Sequence, residues 1–335
     1  MRSEKIKIGI IGTGRIATAH LEAIMNLKED TILTAVCDQK RDLAESTAEK
    51  FGAGNAYTDF HDLLKDPHVE AVIVCLPNYL HHSVCLEAAK AGKHILVEKP
   101  MCLNTKEAYE MTSEAEKQNV ILMVGQCRRF SLAMEKVQEH IEDIGTPFRL
   151  DIQFLVEFPQ PPTEWWRSSE KAGGLVTLLQ GSHSVDTILW LLKKLPSRVV
   201  GFVSSQKDSW EGEDEANFLF YFDTGELASV HLSLNTSPYL HETLVIGERG
   251  SMRVFEYPTE KTFGFSYILK LNNKTILEGE QVPSLYTNQL KEFVSAIVEK
   301  RTPMASGKEV TNSMIVLDAM RKSYMENRVV SLKNK

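Results

Sequence analysis

The sequence predicts an α/β protein: a doubly wound parallel sheet at the N-terminus, then a second α/β domain built on a mainly antiparallel sheet. Three observations point to this. Up to about residue 125, short β-branched runs alternate with helical patterns, the signature of βαβ units. Within that stretch Ala71–Leu76 is a continuous apolar run, which marks a strand buried on both faces. Between Val199 and Leu277, strand-like runs follow one another with turn signals and no helices between them, as in antiparallel pairing.

In chain order, Ile6–Ile11 is the first strand and Ile16–Leu27 the first helix. Ile32–Cys37 is the second strand, and the Ala- and Glu-rich Asp42–Phe51 is a helix. After Ala71–Leu76, Tyr79–Ala91 reads as a helix closed by Gly92, which tolerates the left-handed backbone of a helix stop. His94–Val97 is strand, Thr105–Gln118 helix and Val120–Val124 strand. Phe148–Phe158 opens the second part as a long strand. Gly181–Lys193 is a helix ended by Pro196, and turns at Asp223-Thr224-Gly225 and Asn272-Asn273 separate the later strands. Helices at about Leu285–Lys300 and Lys308–Asn327 finish the chain. With no Gly/Ser linker near residue 125, the expected domains are 1–125 and 126–335.

Composition narrows the function. The chain has 335 residues and a net charge of −7, so it lacks the basic footprint of a nucleic-acid binder. No apolar run approaches the roughly 20 residues needed to span a bilayer, and no signal-peptide core is evident at the N-terminus. The five cysteines are odd in number and have no Cys-x-x-Cys spacing, which fits a reducing, cytoplasmic setting and disfavours disulfides or structural zinc. His81-His82 is no metal pair, because adjacent helical residues diverge in direction; no metal site is expected.

The first strand runs into Gly12-Thr13-Gly14-Arg15-Ile16-Ala17. Gly12 permits a tight turn, Gly14 lets a pyrophosphate approach the backbone, and Ala17 lets the helix pack close to the strand. The helix N-terminus then offers N–H groups and a positive dipole end to phosphates. Asp38 closes the second strand about twenty residues later, where a carboxylate binds adenosine ribose hydroxyls. The expected cofactor is a dinucleotide. Asp38 would repel a 2′-phosphate, which favours NAD over NADP, although Lys40 and Arg41 lie just beyond.

Further motifs follow in order: Leu76-Pro77-Asn78-Tyr79-Leu80-His81, then Gly92-Lys93-His94 leading to Glu98-Lys99-Pro100, then Ala172-Gly173-Gly174 and Gln180-Gly181-Ser182-His183-Ser184-Val185-Asp186, and Tyr286 to Phe293. Together with the glycine loop, these resemble the Gfo/Idh/MocA family of sugar and cyclitol dehydrogenases over the whole chain. The resemblance implies a Rossmann domain followed by an α/β domain whose open, largely antiparallel sheet commonly forms an oligomer interface, so a homodimer or homotetramer is expected. It also implies oxidation of a secondary alcohol on a sugar, sugar derivative or cyclitol by hydride transfer to NAD.

On that resemblance the cofactor-binding set is Gly12, Thr13, Gly14, Arg15, Ile16, Asp38, Leu76, Pro77, Asn78, His81, Glu98 and Lys99. The catalytic pair is Lys99, at the reacting oxygen, and His183, as general base. Asp186 lies three residues after His183 and either orients the imidazole or anchors the helix. Gln126, Arg128, Trp166, Arg167, His183 and Tyr286 are candidate substrate contacts. The arginines suit a phosphate or carboxylate, with salt bridging as their alternative; the tryptophan suits a sugar face, with core packing as its alternative. The chain departs from inositol-dehydrogenase-like members at Leu179, where they carry an acid. Its Gln-Gly-Ser-His looks more like branches acting on sugar C3 hydroxyls, including those of nucleotide sugars. Two other activities remain open: an NAD-dependent glycosidase of the same fold, and a non-catalytic sugar- or NAD-sensing regulator.

Overall fold

The computed structural model describes residues 5–332. The chain divides into two compact units. One is the chain up to Cys127 together with Pro283–Thr311; the other is Arg128–Val282 together with the chain from Asn312.

The first unit is a Rossmann fold. Its elements are β1 (Ile6–Ile11), α1 (Ala17–Asn26), β2 (Thr31–Cys37), α2 (Arg41–Phe51), β3 (Asn55–Tyr57), α3 (Phe60–Lys65), β4 (Ala71–Val74), α4 (Asn78–Lys90), β5 (His94–Glu98), α5 (Thr105–Lys117) and β6 (Leu122–Gly125). The strands pair in parallel in the order β3-β2-β1-β4-β5-β6. Strand order reverses between β1 and β4, and the carboxyl ends of the strands beside that point form the crevice where such sheets bind ligands. All four residues of β4 are buried, as its unbroken apolar run predicts. The short β3 and α3 have no counterpart among the expected elements. β3 has three residues, two of them exposed, too little for a pattern to register; α3 is announced only by Asp59, whose side chain accepts the His61 N–H.

In the second unit, α6 (Leu132–His140) leads into β7 (Pro147–Glu157). The short helices α7 (Ser169–Ala172) and α8 (Val176–Leu179) precede α9 (Gly181–Leu192). Strands β8 (Arg198–Ser204), β9 (Glu215–Tyr221), β10 (Leu227–Ser233), β11 (Asn235–Gly247), β12 (Gly250–Pro258), β13 (Phe265–Leu271) and β14 (Lys274–Glu280) complete the sheet. After them come α10 (Leu285–Glu299), α11 (Gly307–Glu326) and β15 (Val330–Ser331). The sheet order among the described residues is β14-β13-β12-β11-β7-β10-β9-β8-β15. Every pairing is antiparallel except β7 with β10. Residues alternate along β9, with Ala216, Phe218 and Phe220 buried and Asn217 and Leu219 exposed, so one face is core and the other open.

Chain order predicts a second domain over residues 126–335, whereas Pro283–Thr311 groups with the Rossmann unit. The reason is packing on two sides. On one, α10 lies against α1, with Asn26 Nδ2 donating to Thr287 Oγ1 at 3.2 Å. On the other, Ala305 O accepts the Val124 N–H at 2.9 Å, and Ser306 bridges Met123 on β6. This segment covers a sheet edge that would otherwise be open.

Candidate active site

Within the Rossmann unit, most of the expected cofactor residues converge on the carboxyl ends of β1, β2, β4 and β5. Gly12 has φ +91°, and a Cβ there would lie 2.5 Å from Cys75 O, so the turn admits only glycine. A Cβ on Gly14 would meet nothing within 4 Å, which leaves open space over the start of α1. The N-cap position of that helix, Ile16, supplies no side-chain hydrogen bond, while the Ala17 and Ala19 N–H groups donate to Gly14 O and Ile16 O at 3.1 Å. Asp38 is half-buried and braces the loop: its Oδ2 accepts the Thr13 N–H at 3.1 Å and the Thr13 hydroxyl at 3.0 Å, and its Oδ1 accepts the Lys40 N–H at 3.0 Å. Arg15 is exposed at the loop tip. A glycine cradle, a helix start without a side-chain cap and a carboxylate at the end of the second strand fit a dinucleotide.

The β4 and β5 ends add a second group. Leu76 and Pro77 are half-buried, and Asn78 is buried as the first residue of α4. His81 is fully buried, with Nδ1 2.8 Å from Pro100 O and Nε2 2.8 Å from Leu76 O, and a neutral ring donates to one of these two carbonyls. Burial lowers its pKa, favouring the neutral ring. Lys99 is half-buried where β5 ends, and the Lys99–Pro100 peptide is cis. Glu98 is buried; its Oε2 accepts the Lys99 N–H at 3.0 Å, while its Oε1 lies 2.8 Å from His20 Nε2. Tyr286 is buried edge-on to His20, with ring centroids 5.4 Å apart. Gln126, just past β6, is 1 % exposed.

His20 was not among the expected site residues. It stands three residues after Ala17, on the helical face that packs against the sheet. A histidine at such a position announces a buried partner, but nothing in the sequence links it to Glu98.

In the second unit, His183 is buried in the first turn of α9, its ring 6.1 Å from that of Phe154 on β7. Arg129 grips Asp186 in bidentate fashion, Nε to Oδ2 at 2.7 Å and Nη2 to Oδ1 at 2.8 Å. Asp186 therefore anchors α9. Arg128 is buried, hydrogen-bonded to Glu256, with its guanidinium 4.8 Å from the Phe154 ring centroid. His241 Nδ1 lies 2.7 Å from Glu256 Oε2 and its ring 4.5 Å from Phe154. Burial, then Arg128, depresses His241 to about 4. Burial alone would raise Glu256, but Arg128 and His241 overcome it and hold the carboxyl at about 2. Neither Glu256 nor His241 stands in any of the motifs, and no sequence spacing joins them to Arg128.

Trp166 packs edge-on against Phe158 and Trp165 in a local core. Arg167 is exposed, donating to Glu164 and to Ser209 O. The double glycine at 173 and 174 takes positive φ, and Glu213 Oε1 accepts the N–H groups of Leu175 and Thr177 just after it. His82 pairs with Glu110, and among the described residues no cluster of three or more His, Cys, Asp or Glu is placed to hold a metal.

The parallel sheet, its glycine loop and the acid closing β2 define a dinucleotide-binding oxidoreductase. The chain belongs to the Gfo/Idh/MocA family. It matches that oxidoreductase family's NAD-binding Rossmann fold over residues 6–126 and its C-terminal domain over residues 134–253. It is 31% identical to a myo-inositol 2-dehydrogenase of Thermotoga maritima, an alignment covering 98% of both chains. It is 30% identical to a 1,5-anhydro-D-fructose reductase of Ensifer adhaerens, over 90% of this chain and 91% of that one. Among solved structures, a levoglucosan dehydrogenase complexed with NADH and levoglucosan shares the fold at a TM-score of 0.87 and 21% identity, covering 99% and 100% of the two chains. A probable dehydrogenase from Thermotoga maritima does so at 0.83 and 28%, covering 97% and 98%. The chain is thus an NAD-binding oxidoreductase of this family. Among the described residues no helix is long and apolar enough to cross a membrane.

Proposed function

We propose that the protein oxidises a secondary alcohol of an uncharged sugar or cyclitol, with Lys99 and His183 as its catalytic residues. The observation that carries this is the convergence of the Gly12–Gly14 loop, Asp38, Asn78 and the Glu98–Lys99 segment at the carboxyl edge of one parallel sheet. NAD, when bound, supplies the hydride acceptor. The Gly12–Gly14 loop and the start of α1 hold its pyrophosphate, Asp38 its adenosine ribose, and the residues from Leu76 to Asn78, with Glu98, the rest. The Lys99 ammonium donates to the substrate oxygen and stabilises the alkoxide that develops there. His183 takes the hydroxyl proton in the oxidative direction and returns it in the reductive one.

The relatives named above support a sugar or cyclitol substrate, and Arg128 favours an uncharged one. Arg128 is compensated within the fold by buried Glu256, so it does not stand as an open grip for a phosphate or carboxylate, while Arg167 is exposed and pairs with Glu164 at the surface. The open face of the second unit's sheet supports a homodimer or homotetramer. None of the cysteines forms a disulfide, which suits the cytoplasm.

The test is a panel of uncharged pyranoses and cyclitols beside sugar phosphates and nucleotide sugars, assayed by NADH absorbance with the parent and Lys99→Ala. The expected result is turnover of an uncharged polyol, with kcat reduced roughly 10²- to 10⁴-fold in the variant while NAD still binds. Turnover confined to nucleotide sugars would overturn the charge assignment. Cleavage of an aryl glycoside without net NADH would point instead to the glycosidase chemistry.

A further inference from the structure

A buried histidine beside Lys99 has no part in the chemistry proposed above, and it meets Glu98 of the cofactor set. His20 on α1 is 0% exposed, and its Nε2 lies 2.8 Å from Glu98 Oε1. Glu98 is 5% exposed, and its second oxygen accepts the backbone N–H of Lys99 at 3.0 Å. The carboxylate fits because residue 125 is glycine: a Cβ there would lie 3.2 Å from Glu98 Oε1. His20 Nδ1 is buried with no hydrogen-bond partner among the described residues. Nε2 is the ring nitrogen that faces the carboxylate and donates to Glu98. Tyr286, packed edge-on, holds the ring in that orientation.

We propose that His20 is a positioning residue for Lys99. By occupying one Glu98 oxygen, it aims the other at the Lys99 N–H and so fixes the backbone from which the lysine side chain leaves β5. The proposal rests on the reading of Lys99 as the group at the reacting oxygen. A buried carboxylate with one oxygen stripped of its donor reorients to find another, and the Lys99 N–H then loses its acceptor. A displacement of the ammonium by about 1 Å is enough to cost on the order of a hundredfold in rate. The effect falls mainly on kcat, because the pyrophosphate and the adenosine ribose are assigned to the β1 and β2 ends, away from Glu98.

The experiment compares His20→Leu and His20→Gln in the full-length protein, with Lys99→Ala as reference. It reads kcat and KM on the sugar or cyclitol that the parent oxidises, Kd for NAD, and hydrogen exchange at the Lys99 backbone amide without substrate or NAD. For His20→Leu the expected result is kcat lower by about tenfold to a hundredfold, KM and Kd within about threefold, and the Lys99 amide exchanging at least about tenfold faster. His20→Gln keeps an N–H donor on a side chain of similar reach and restores most of both kcat and protection. Parental kcat and parental exchange in His20→Leu overturn the proposal. So does a His20→Gln that fails as badly as His20→Leu with weakened NAD binding, since the ring itself would then be what the fold or cofactor requires. If the parent oxidises no sugar or cyclitol, the dehydrogenase reading fails and exchange alone decides: lost protection in His20→Leu with recovery in His20→Gln upholds the brace, and unchanged protection sinks it. Should His20→Leu not fold, His20→Asn, too short to reach Glu98, takes its place.

Discussion

Two glycines of one loop carry different duties, and single methyl groups separate them. Gly12 combines φ +91° with a Cβ position 2.5 Å from Cys75 O, so Gly12→Ala forces the backbone apart and costs about 1–3 kcal/mol of stability. A Cβ on Gly14 meets nothing, so Gly14→Ala leaves the unfolding temperature within a degree or two but occupies the space a pyrophosphate needs. Thermal unfolding and an NAD titration on both variants check this pair; a Gly14→Ala protein binding NAD like the parent would remove the cradle assignment. Asp38 governs cofactor choice by charge. Asp38→Asn is expected to narrow the preference for NADH over NADPH by about tenfold, read from paired titrations, since the neutral amide still accepts the Thr13 N–H. His241 sets a pH dependence. Its folded pKa of about 4 lies below the ordinary 6.5, so between those values the unfolded chain takes up a proton that the folded one refuses. Its contribution is present above about 6.5 and is lost as pH falls towards 4, an effect of about 2–3 kcal/mol. His241→Phe is expected to flatten that decline in denaturant unfolding measured from pH 7 to pH 4. An unchanged slope would mean that His241 does not govern it.

At the scale of elements, α9 carries His183 and is fixed by a buried ion pair. Asp186→Ala leaves the Arg129 guanidinium uncompensated in the interior and is expected to cost about 3–5 kcal/mol, whereas the double change Arg129→Met with Asp186→Leu recovers much of that. Denaturant unfolding of the three variants checks it. If Asp186→Ala kept parental stability, the carboxylate would have to serve His183 rather than the helix. The elements themselves were largely legible in the sequence, because β4 is apolar throughout and β9 alternates strictly, patterns that survive without any knowledge of partners. The glycine loop, Asp38 and the Glu98–Lys99 segment were legible for the same reason: each is a local motif with a fixed place on a strand end. What stayed hidden depends on contacts between distant residues. His20 meets Glu98 across 78 positions, Arg128 meets Glu256 across 128, and the segment at Ala305 returns to cover β6. Arg128 shows the consequence. Its type suggested an anion grip, and only the tertiary fold reveals the buried carboxylate that neutralises it.

At the scale of the whole molecule, the open face of the second unit's sheet asks for a partner. On β8 and β9, Val200 and Phe202 alternate with buried residues, and Val200 is paired in register with Leu219, which is 60% exposed; Phe202 is 66% exposed. Leu227 on β10, 51% exposed, sits opposite Tyr221 and extends the apolar strip across three strands. Further along the same row the register brings Ser229, Asp151, Leu244 and Arg253 into line, so polar side chains mix with apolar ones beyond the strip. Large contiguous apolar patches are uncommon on monomers and mark interaction sites, and an apolar centre with a polar rim is the anatomy of a protein interface. The homo-oligomer proposed above would seat a second copy of this chain there, with a two-fold axis over the strip setting Leu219 and Phe202 of each copy against the other's. The parent is therefore expected to run as a dimer or tetramer in light scattering at micromolar concentration. Leu219→Lys, or Phe202→Lys, would place charges on that axis and shift it toward monomer, while the Rossmann unit's residues for NAD are untouched and its Kd stays within about twofold. A monomeric parent, or a Leu219→Lys protein with the parental mass, would leave the strip without its proposed partner.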